Sequence, residues 1–217
     1  MPTTVFEVES IIDNMKVSSP GHDDIAMKII KECSKIISPY LVFLINKSFQ
    51  EGSFPDHLKI ARIVPVFKKG DSSLLQNCRP ISVLPSFSKI FEKVMVVRLT
   101  NYLTKHSILS PSQYGFRSQL STELAVFHLC QNIYNALDSK MFQLTVFCDL
   151  TKAFDTISHN ILLYKLSVYG IRGNAHSWFK SYLSNRKQYT SFNNVSSPYN
   201  DITCGVPQGS ILGPVLF

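Results

Sequence analysis

The sequence is poor in the features that mark secreted, zinc-stapled and repeat proteins. Its 217 residues include five cysteines, which lie far apart with no C-x-x-C pair and no histidine at the spacing of a zinc module. Neither a disulfide framework nor a structural zinc site is therefore indicated, and a reducing, intracellular compartment fits best. No basic targeting cluster decides between nucleus and cytoplasm.

Targeting and membrane-spanning segments are also lacking. The N-terminal stretch MPTTVFEVES has neither the basic region nor the apolar core of a signal peptide. The most apolar internal run, between Lys35 and Lys47, contains Pro39 and is shorter than the roughly 20 residues of a membrane span. We therefore expect a soluble chain with no membrane partner, and we find no internal repeat or low-complexity tract.

Apolar and basic residues are plentiful. The apolar fraction of 45% is enough for one sizeable core. Lysine and arginine number 22 against 15 acidic residues, which gives a net charge of +7. This balance favours a phosphate-rich partner such as a nucleic acid, although many basic proteins bind none.

Hydrophobic residues recur at helical spacing along much of the chain. Residues 6–15 are predicted to form a short helix, and a second is predicted from about Asp23, after the turn-like segment 18–21. The helix predicted from about Thr122 carries one apolar stripe, formed by Val126, Leu129, Cys130, Ile133 and Leu137. Further helices are predicted from Pro85, from the Ser158 cap to Gly170, and along residues 175–183.

Four segments have the composition of strands. Residues 62–67 are β-branched and aromatic, with Pro65 indicating an edge or a bulge, and residues 68–71 follow as a turn. Residues 188–192 and 195 onward predict a hairpin that turns at the pair Asn193-Asn194. Between Phe142 and Asp149 the period is two, which predicts a strand with one buried face. The summary is an α+β fold, with helices packed on an antiparallel sheet.

Two segments have residue patterns that fit a chemical site. In FCDLTKAFD (147–155), Asp149 ends the predicted strand, where it can either hold a divalent cation or cap the next turn. In GVPQGSILGP (205–214), three glycines and two prolines shape a loop with Gln208 as its long polar side chain. Such a loop either lets backbone approach a ligand or serves an ordinary structural purpose.

Together the two segments resemble motifs A and B of reverse transcriptases. The segments DLTKAFDTISH and GVPQGSILGP are similar in sequence to the same motifs of the non-LTR, LINE-type (jockey-like) retrotransposon branch. Three more elements agree in order and spacing and extend the resemblance over nearly the whole chain. They are SPGHD (19–23), VPVFKKGD (64–71) with RPIS (79–82), and QYGFR (113–117) with Ser121-Thr122.

The resemblance implies a right-hand polymerase fold with an incomplete antiparallel palm sheet. Residues 1–55 would form an N-terminal helical extension of the fingers, 56–140 the fingers, and 141–217 part of the palm with motifs A and B. The chain ends in an apolar run at Phe217. We expect it to be a truncated piece, an N-terminal fragment that stops before the family's A-D-D motif and thumb.

The same resemblance implies roles for residues that face phosphates and metal. Asp149, with the carbonyl of Leu150, would bind two Mg²⁺ ions, which stabilise the attacking 3′-hydroxyl and the leaving pyrophosphate. Lys68 and Arg79 would reach the β- and γ-phosphates of the incoming nucleotide. Lys69 is interpreted as a solvated turn residue.

Residues that would surround the sugar and base follow in the two motifs. The backbone at Lys152 and Ala153 would lie along the triphosphate. Phe154 would close the space under the sugar 2′-carbon, so that a ribonucleotide clashes. Gln208 and Gly209 would contact the nucleotide and the adjacent template-primer.

Three other residues are interpreted as structural. Asp155 is expected to cap the next helix or to pair locally rather than bind metal, and His159 to make a structural hydrogen bond. Trp178 is expected in the core. The pair Asp23-Asp24 follows a turn far upstream, so it is not the missing A-D-D motif.

The function implied is RNA-templated DNA synthesis by the full-length retrotransposon protein, with an RNA template, a DNA primer and dNTPs as partners. This chain alone is expected to be inactive. An RNA-dependent RNA polymerase fits less well, because that class has an aspartate where this chain has Phe154. Group II intron and telomerase-type reverse transcriptases fit better than RNA-dependent RNA polymerases, but the residues of the two motifs favour the retrotransposon branch. A non-catalytic RNA-binding remnant stays open, as does the oligomeric state.

Overall fold

The computed structural model describes residues 2–71, 74–193 and 195–217, with the side chain of Leu75 left aside. The chain forms two compact units, one made of the residues up to Leu99 with Ala153–Phe217 and one of Thr100–Lys152. The helices are α1 (Val5–Asn14), α2 (Met27–Glu32), α3 (Ser34–Glu51), α4 (Ser86–Lys105), α5 (Thr122–Asp138), α6 (His159–Val168), α7 (Gly173–Leu183) and α8 (Gly213–Leu216). The strands are β1 (Ile60–Phe67), β2 (Cys78–Val83), β3 (Arg186–Phe192), β4 (Val195–Ser196) and β5 (Asn200–Ile202).

The sheet lies in the first unit and is mixed. Its order is β2-β1-β3-β4, and β5 also pairs with β3. Strand β1 is antiparallel to β2 but parallel to β3, whereas β4 and β5 are antiparallel to β3. The prediction of an antiparallel sheet was therefore wrong at β1–β3. The chain between these strands is long enough to return β3 in the same direction, as a parallel pair requires.

Pro65 occupies a locally one-sided part of β1. Strand β1 has neighbours on both edges, but its pairing with β3 ends at Ile63. Beyond that point only β2 pairs with it, and Pro65 lies opposite Pro80. Neither proline has an N–H group to donate to the ladder. Placing them opposite each other, where β1 has a neighbour on one side only, keeps the number of missing hydrogen bonds small.

Most predicted helices are confirmed, with the largest shift at α2. The side chain of Ser158 accepts a hydrogen bond from the Ile161 N–H and caps α6, and Gly170 follows the helix with a φ of 89°. Helix α2 begins at Met27 rather than near Asp23, because Asp23 Oδ1 accepts from the Ile25 N–H at 3.3 Å in a local turn. No helix in the described ranges is long and apolar enough to cross a bilayer.

The predicted hairpin after α7 is present. Strands β3 and β4 pair through Ser191 with Ser196 and Phe192 with Val195. Asn193 has a φ of 48°, as a tight hairpin turn requires. Asn194, the other residue of the predicted turn, lies outside the described residues.

The strand predicted at residues 142–149 is not formed. The segment is irregular and has no ladder partner in the described part of the chain. Phe142, Leu144 and Val146, expected on a buried face, are 105%, 91% and 74% exposed. Alternation sets which side chains share a face, but a strand forms only where a neighbouring backbone accepts and donates hydrogen bonds. Asp149 therefore ends an exposed segment rather than a buried strand.

Helix α5 forms as predicted, but its apolar stripe is not buried. Ser121 caps the helix by accepting from the Leu124 N–H at 3.3 Å. No residue of α5 is buried, and Val126 and Leu137 on the predicted stripe are about 60% exposed. Helical periodicity specifies an amphipathic face without specifying what packs on it.

An aromatic cluster joins α7 to the rest of the first unit. The rings of Trp178 and Tyr182 are stacked at 5.6 Å, and Phe54 contacts both edge-on at 5.3 and 5.1 Å. The Trp178 indole N–H donates to Ser48 Oγ of α3 at 2.9 Å. Trp178 is fully buried, as predicted. The cluster sets the position of α7, which leads directly into β3.

Candidate functional site

Lys68 and Arg79 lie on one face of the β1–β2 ribbon. In the ladder Val66 is opposite Arg79, and the Lys68 N–H extends the register by donating to Asn77 O at 2.9 Å. Opposed side chains share a face and alternate residues return to it, so Lys68 and Arg79 are diagonal neighbours. Both are exposed. The structure thus brings together the two side chains predicted to bind phosphate.

The Gly205–Ser210 segment, here called the glycine-proline loop, is attached to the free edge of β2. The Ser82 N–H donates to Gln208 O at 2.8 Å. Gly209 has a φ of +123°, and a Cβ there would lie 2.7 Å from Ser82 O. Only glycine fits so close to a neighbouring backbone with that conformation. Gln208 is therefore held beside the strand that carries Arg79.

The other end of the glycine-proline loop packs on the turn after motif A. The Val206 N–H donates to Phe154 O at 2.8 Å, and the Gly205 N–H donates to Ile157 O at 2.7 Å. His159 Nε2 donates to Gly205 O at 2.7 Å. The structural hydrogen bond predicted for His159 is confirmed, and its partner is this loop.

Phe154 is half-buried beside the glycine-proline loop. Its ring stacks on that of Phe217, with centroids 4.9 Å apart and planes 27° from parallel. Neighbouring Ala153 is half-buried, and its carbonyl accepts from Thr156 Oγ1 at 3.4 Å. These contacts place Ala153, Phe154, Gln208 and Gly209 in the same unit as Lys68 and Arg79.

A cavity of about 400 Å³ lies between the sheet and the glycine-proline loop. Asp155 lines it and does not cap α6, since that cap is Ser158, so this part of the expectation for Asp155 was wrong. Other polar residues that line the cavity are Ser82, Gln188, Thr190, Asp201, Thr203 and Gln208. The cavity offers hydrogen-bond donors and acceptors beside the predicted nucleotide residues.

Asp149, Leu150 and Lys152 belong to the other unit. Asp149 is exposed, Leu150 is 67% exposed, and Lys152 has a φ of 52° in the turn that leads to Ala153. Within residues 2–71, 74–193 and 195–217, no group of three or more His, Cys, Asp or Glu could hold a metal ion. The metal role of Asp149 and of the Leu150 carbonyl stays a prediction.

A buried acid that the sequence reasoning missed lies behind the glycine-proline loop. Glu92 of α4 is fully buried, and its Oε2 accepts from the N–H groups of Ile211 and Leu212 at 2.7 and 3.2 Å. Its Oε1 accepts from the hydroxyl groups of Tyr182 and Ser88 at 3.1 and 3.3 Å. The sequence feature that could have revealed this residue is that Glu92 is the single acidic side chain in the sequence of α4.

Burial dominates the electrostatics of Glu92. It raises the pKa of the Glu92 carboxyl, while the Arg186 guanidinium and the Leu212 and Ile211 N–H groups act in the opposite direction. Arg186 is also fully buried and lies 4.8 Å above the Tyr182 ring. Burial likewise raises the pKa of Tyr182, so its hydroxyl stays protonated as a donor. Glu92, Tyr182 and Arg186 are thus buried together behind the loop.

The structure thus joins a ribbon with two exposed basic side chains to the glycine-proline loop. The family model for reverse transcriptases (RNA-dependent DNA polymerases) matches residues 66–217. The chain belongs to the reverse transcriptase family. The resemblance inferred from the motifs is confirmed.

The relatives of the chain come from mobile elements. It is 32% identical over 228 residues to a probable RNA-directed DNA polymerase from transposon BS of Drosophila melanogaster, covering 100% of this chain and 24% of that protein. It is 30% identical over 218 residues to the RNA-directed DNA polymerase from mobile element jockey of Drosophila funebris, with the same coverage. The chain spans about a quarter of the length of these relatives.

Proposed function

We propose that this chain provides the fingers and part of the palm of an RNA-templated DNA polymerase encoded by a non-LTR retrotransposon. Its relatives are named RNA-directed DNA polymerases, which supports the reaction class. One observation carries the proposal for this chain: the Ser82–Gln208 hydrogen bond joins the basic ribbon to the glycine-proline loop. The domain assignments at 1–55, 56–140 and 141–217 are part of this proposal.

The proposed substrate is a deoxynucleoside triphosphate, paired to an RNA template next to a DNA primer. The β- and γ-phosphates bind Lys68, which acts as a compact charge, and Arg79, whose planar fork matches two phosphate oxygens. The backbone at Lys152 and Ala153 follows the triphosphate. The ring of Phe154, backed by Phe217, lies under the sugar and excludes a 2′-hydroxyl. Gln208 and Gly209 contact the nucleotide and the template-primer.

The proposal includes two Mg²⁺ ions held by Asp149 and the Leu150 carbonyl. Two ions call for further carboxylates beside Asp149, because each Mg²⁺ in a nucleotide site is bound by one or two carboxylates together with substrate phosphates. The described residues do not assemble such a group. The roles of Lys68, Arg79 and Gln208 do not depend on the ions.

The chain by itself is expected to incorporate no nucleotides. Without a complete metal site, the electrostatic stabilisation of the transition state is largely lost. The measurement is primer extension on an RNA template with Mg²⁺ and labelled dNTPs, with a complete reverse transcriptase as the positive control. Template-dependent incorporation that disappears in Asp149→Asn would show that this chain is active and overturn the expectation.

Nucleotide binding is the direct test of the proposed function. Lys68→Ala and Arg79→Ala are each expected to weaken binding of dATP about tenfold, since each removes a charge-assisted hydrogen bond to phosphate. Lys69→Ala is the matched control, because it removes the same charge from the next residue. Its effect is expected to stay below about twofold. Fluorescence anisotropy with a labelled dATP measures all three.

The outcome that contradicts this assignment is equal weakening by Lys68→Ala and Lys69→Ala, which would indicate general charge attraction. Phe154→Ala is expected to reduce the preference for dATP over ATP without a large change in dATP affinity. An unchanged preference would remove the proposed sugar role of Phe154.

A non-catalytic RNA-binding role is the second candidate, favoured by the net charge of +7. Binding of this kind depends on phosphate contacts and weakens steeply with salt. It predicts RNA binding with no measurable dATP binding. The same anisotropy assay, run with labelled RNA and with labelled dATP, separates the two functions.

A further inference from the structure

We propose that Glu92 is a positioning residue for nucleotide binding, which holds the glycine-proline loop so that Gln208 and Gly209 face the incoming nucleotide. This inference rests on the proposed function, because it assigns the loop to the nucleotide. Glu92 itself is fully buried and lies behind the loop. It acts through the backbone of Ile211 and Leu212, without touching substrate.

The geometry of the carboxylate supports this role. Oε2 of Glu92 receives two consecutive backbone N–H groups, from Ile211 at 2.7 Å and from Leu212 at 3.2 Å. A backbone N–H can only donate, so this oxygen must act as an acceptor. Two N–H groups on one oxygen restrain both the position and the direction of the chain where it leaves the loop.

The loop between its attachments is tightly bonded. His159 holds Gly205 at one end, and the Ser82 N–H holds Gln208 in the middle. Ser210 Oγ donates to Pro207 O and accepts from the Gly213 N–H, both at 2.9 Å. A shift at the C-terminal end is therefore transmitted through Ser210 to the backbone beside Gln208. Glu92 is placed where such a shift would begin.

The surroundings of Glu92 explain why a carboxyl group holds the backbone of Ile211 and Leu212. Arg186 is buried, and its Nη1 donates to Tyr182 O at 3.1 Å. Its Nε and Nη2 have no hydrogen-bond partner among the described residues. The guanidinium lowers the pKa of the Glu92 carboxyl against the larger, opposite effect of burial. The carboxyl oxygens also accept from two backbone N–H groups and two hydroxyl groups, which an apolar side chain could not do. Buried N–H groups at Ile211 and Leu212 would be left without this partner if the carboxyl group were absent, which is costly.

Glu92→Gln in the 217-residue chain is the first test. The glutamine keeps the shape but replaces one accepting oxygen by an NH₂ group that only donates, so the Ile211 and Leu212 amides are expected to exchange with solvent at least about tenfold faster. Hydrogen exchange followed by NMR measures these two amides. Binding of labelled dATP is expected to weaken about fivefold or more.

A matched control separates positioning from general stability. Ile45→Ala truncates a fully buried side chain on α3 and lowers the stability of the same unit. Exchange at Ile211 and Leu212 is expected to stay protected in this variant at temperatures where it is folded. Its dATP affinity is expected to remain within about twofold of the unmodified chain.

A second variant changes the backbone that donates to Glu92 instead of Glu92 itself, in case Glu92→Gln does not fold. Cys204 is an exposed free cysteine just before the loop, so the segment 204–217 can be synthesised and ligated to residues 1–203. An ester in place of the amide N–H of Leu212 removes one hydrogen bond to Glu92 and leaves the buried carboxylate intact. The expected result is weaker dATP binding than for the all-amide ligated chain.

The outcomes distinguish this inference from the proposed function. If the unmodified chain does not bind dATP, the proposed nucleotide function fails for this chain. If it binds dATP, but Glu92→Gln and the ester variant bind equally well, the positioning role is overturned. Unchanged exchange at Ile211 and Leu212 in Glu92→Gln would also overturn it, whatever the nucleotide result. If Ile45→Ala loses as much dATP affinity as Glu92→Gln, Glu92 contributes only to the stability of the core and the positioning role is overturned.

Discussion

Replacing Gly209 by alanine is expected to detach the glycine-proline loop from β2. The added Cβ would lie 2.7 Å from Ser82 O, which is backbone and cannot rotate away, and φ is +123° at this residue. The strained backbone costs on the order of 1–3 kcal/mol. Relief of the clash requires a movement that breaks the hydrogen bond from the Ser82 N–H to Gln208 O.

The consequence for the proposed function is large. Gln208 would no longer be held beside the ribbon, and dATP affinity is expected to fall by about tenfold or more. Urea unfolding and anisotropy with labelled dATP measure the two effects. Gly115→Ala is the control, because a Cβ there meets nothing within 4 Å, and its stability change is expected within about 0.5 kcal/mol. Equal affinity for Gly209→Ala and the unmodified chain would mean that the loop does not hold nucleotide.

Truncation of Trp178 to alanine is expected to give the largest loss of stability. Its ring is fully buried and contacts Phe49, Phe54, Phe179 and Tyr182. Emptying this volume costs about 3–5 kcal/mol, a large share of the roughly 5–15 kcal/mol that stabilises a domain. The loss of the indole N–H also leaves Ser48 without that donor.

Urea unfolding followed by circular dichroism measures this loss, since the variant has no tryptophan left for fluorescence. Tyr40→Ala on α3 is the control, because this aromatic side chain is 71% exposed. Its change is expected within about 0.5 kcal/mol. A loss below about 1 kcal/mol for Trp178→Ala would mean that the cluster relaxes around the cavity or is not packed as described.

Both large effects arise from contacts between segments distant in the chain. Gly209 meets Ser82, and Trp178 meets Ser48 and Phe54. The sequence predicted that Trp178 is core and that the loop is shaped by glycine. It could not predict the partners, because periodicity describes one element at a time.

The helices and several of their ends were predictable. Ser158 and Ser121 carry short polar side chains that satisfy free N–H groups at a helix start, and Gly170 adopts the conformation that ends one. Strand β2, which carries Arg79, was not predicted from the sequence, so the placement of Lys68 and Arg79 on one ribbon is a finding of the structure. The residues of the motifs were enough to identify the family.

The failures have a common physical origin. Residues 142–149 alternate like a strand but have no partner among the described residues, so they are irregular. The direction of β3 relative to β1 and the burial of Glu92 with Arg186 also depend on how distant segments meet. Pairing and burial are decided between elements, and local patterns do not carry that information.

The sequence by itself determined the family, most of the helices with some of their ends, and the residues proposed to bind nucleotide. These depend on side-chain type and short-range spacing, which act within a few residues. Only the tertiary structure decided that Ser82 holds Gln208, that the sheet is mixed, and that Glu92 clamps the chain after the loop. A hydrogen bond between residues more than a hundred positions apart follows from the packing of the whole unit, and no local segment specifies it.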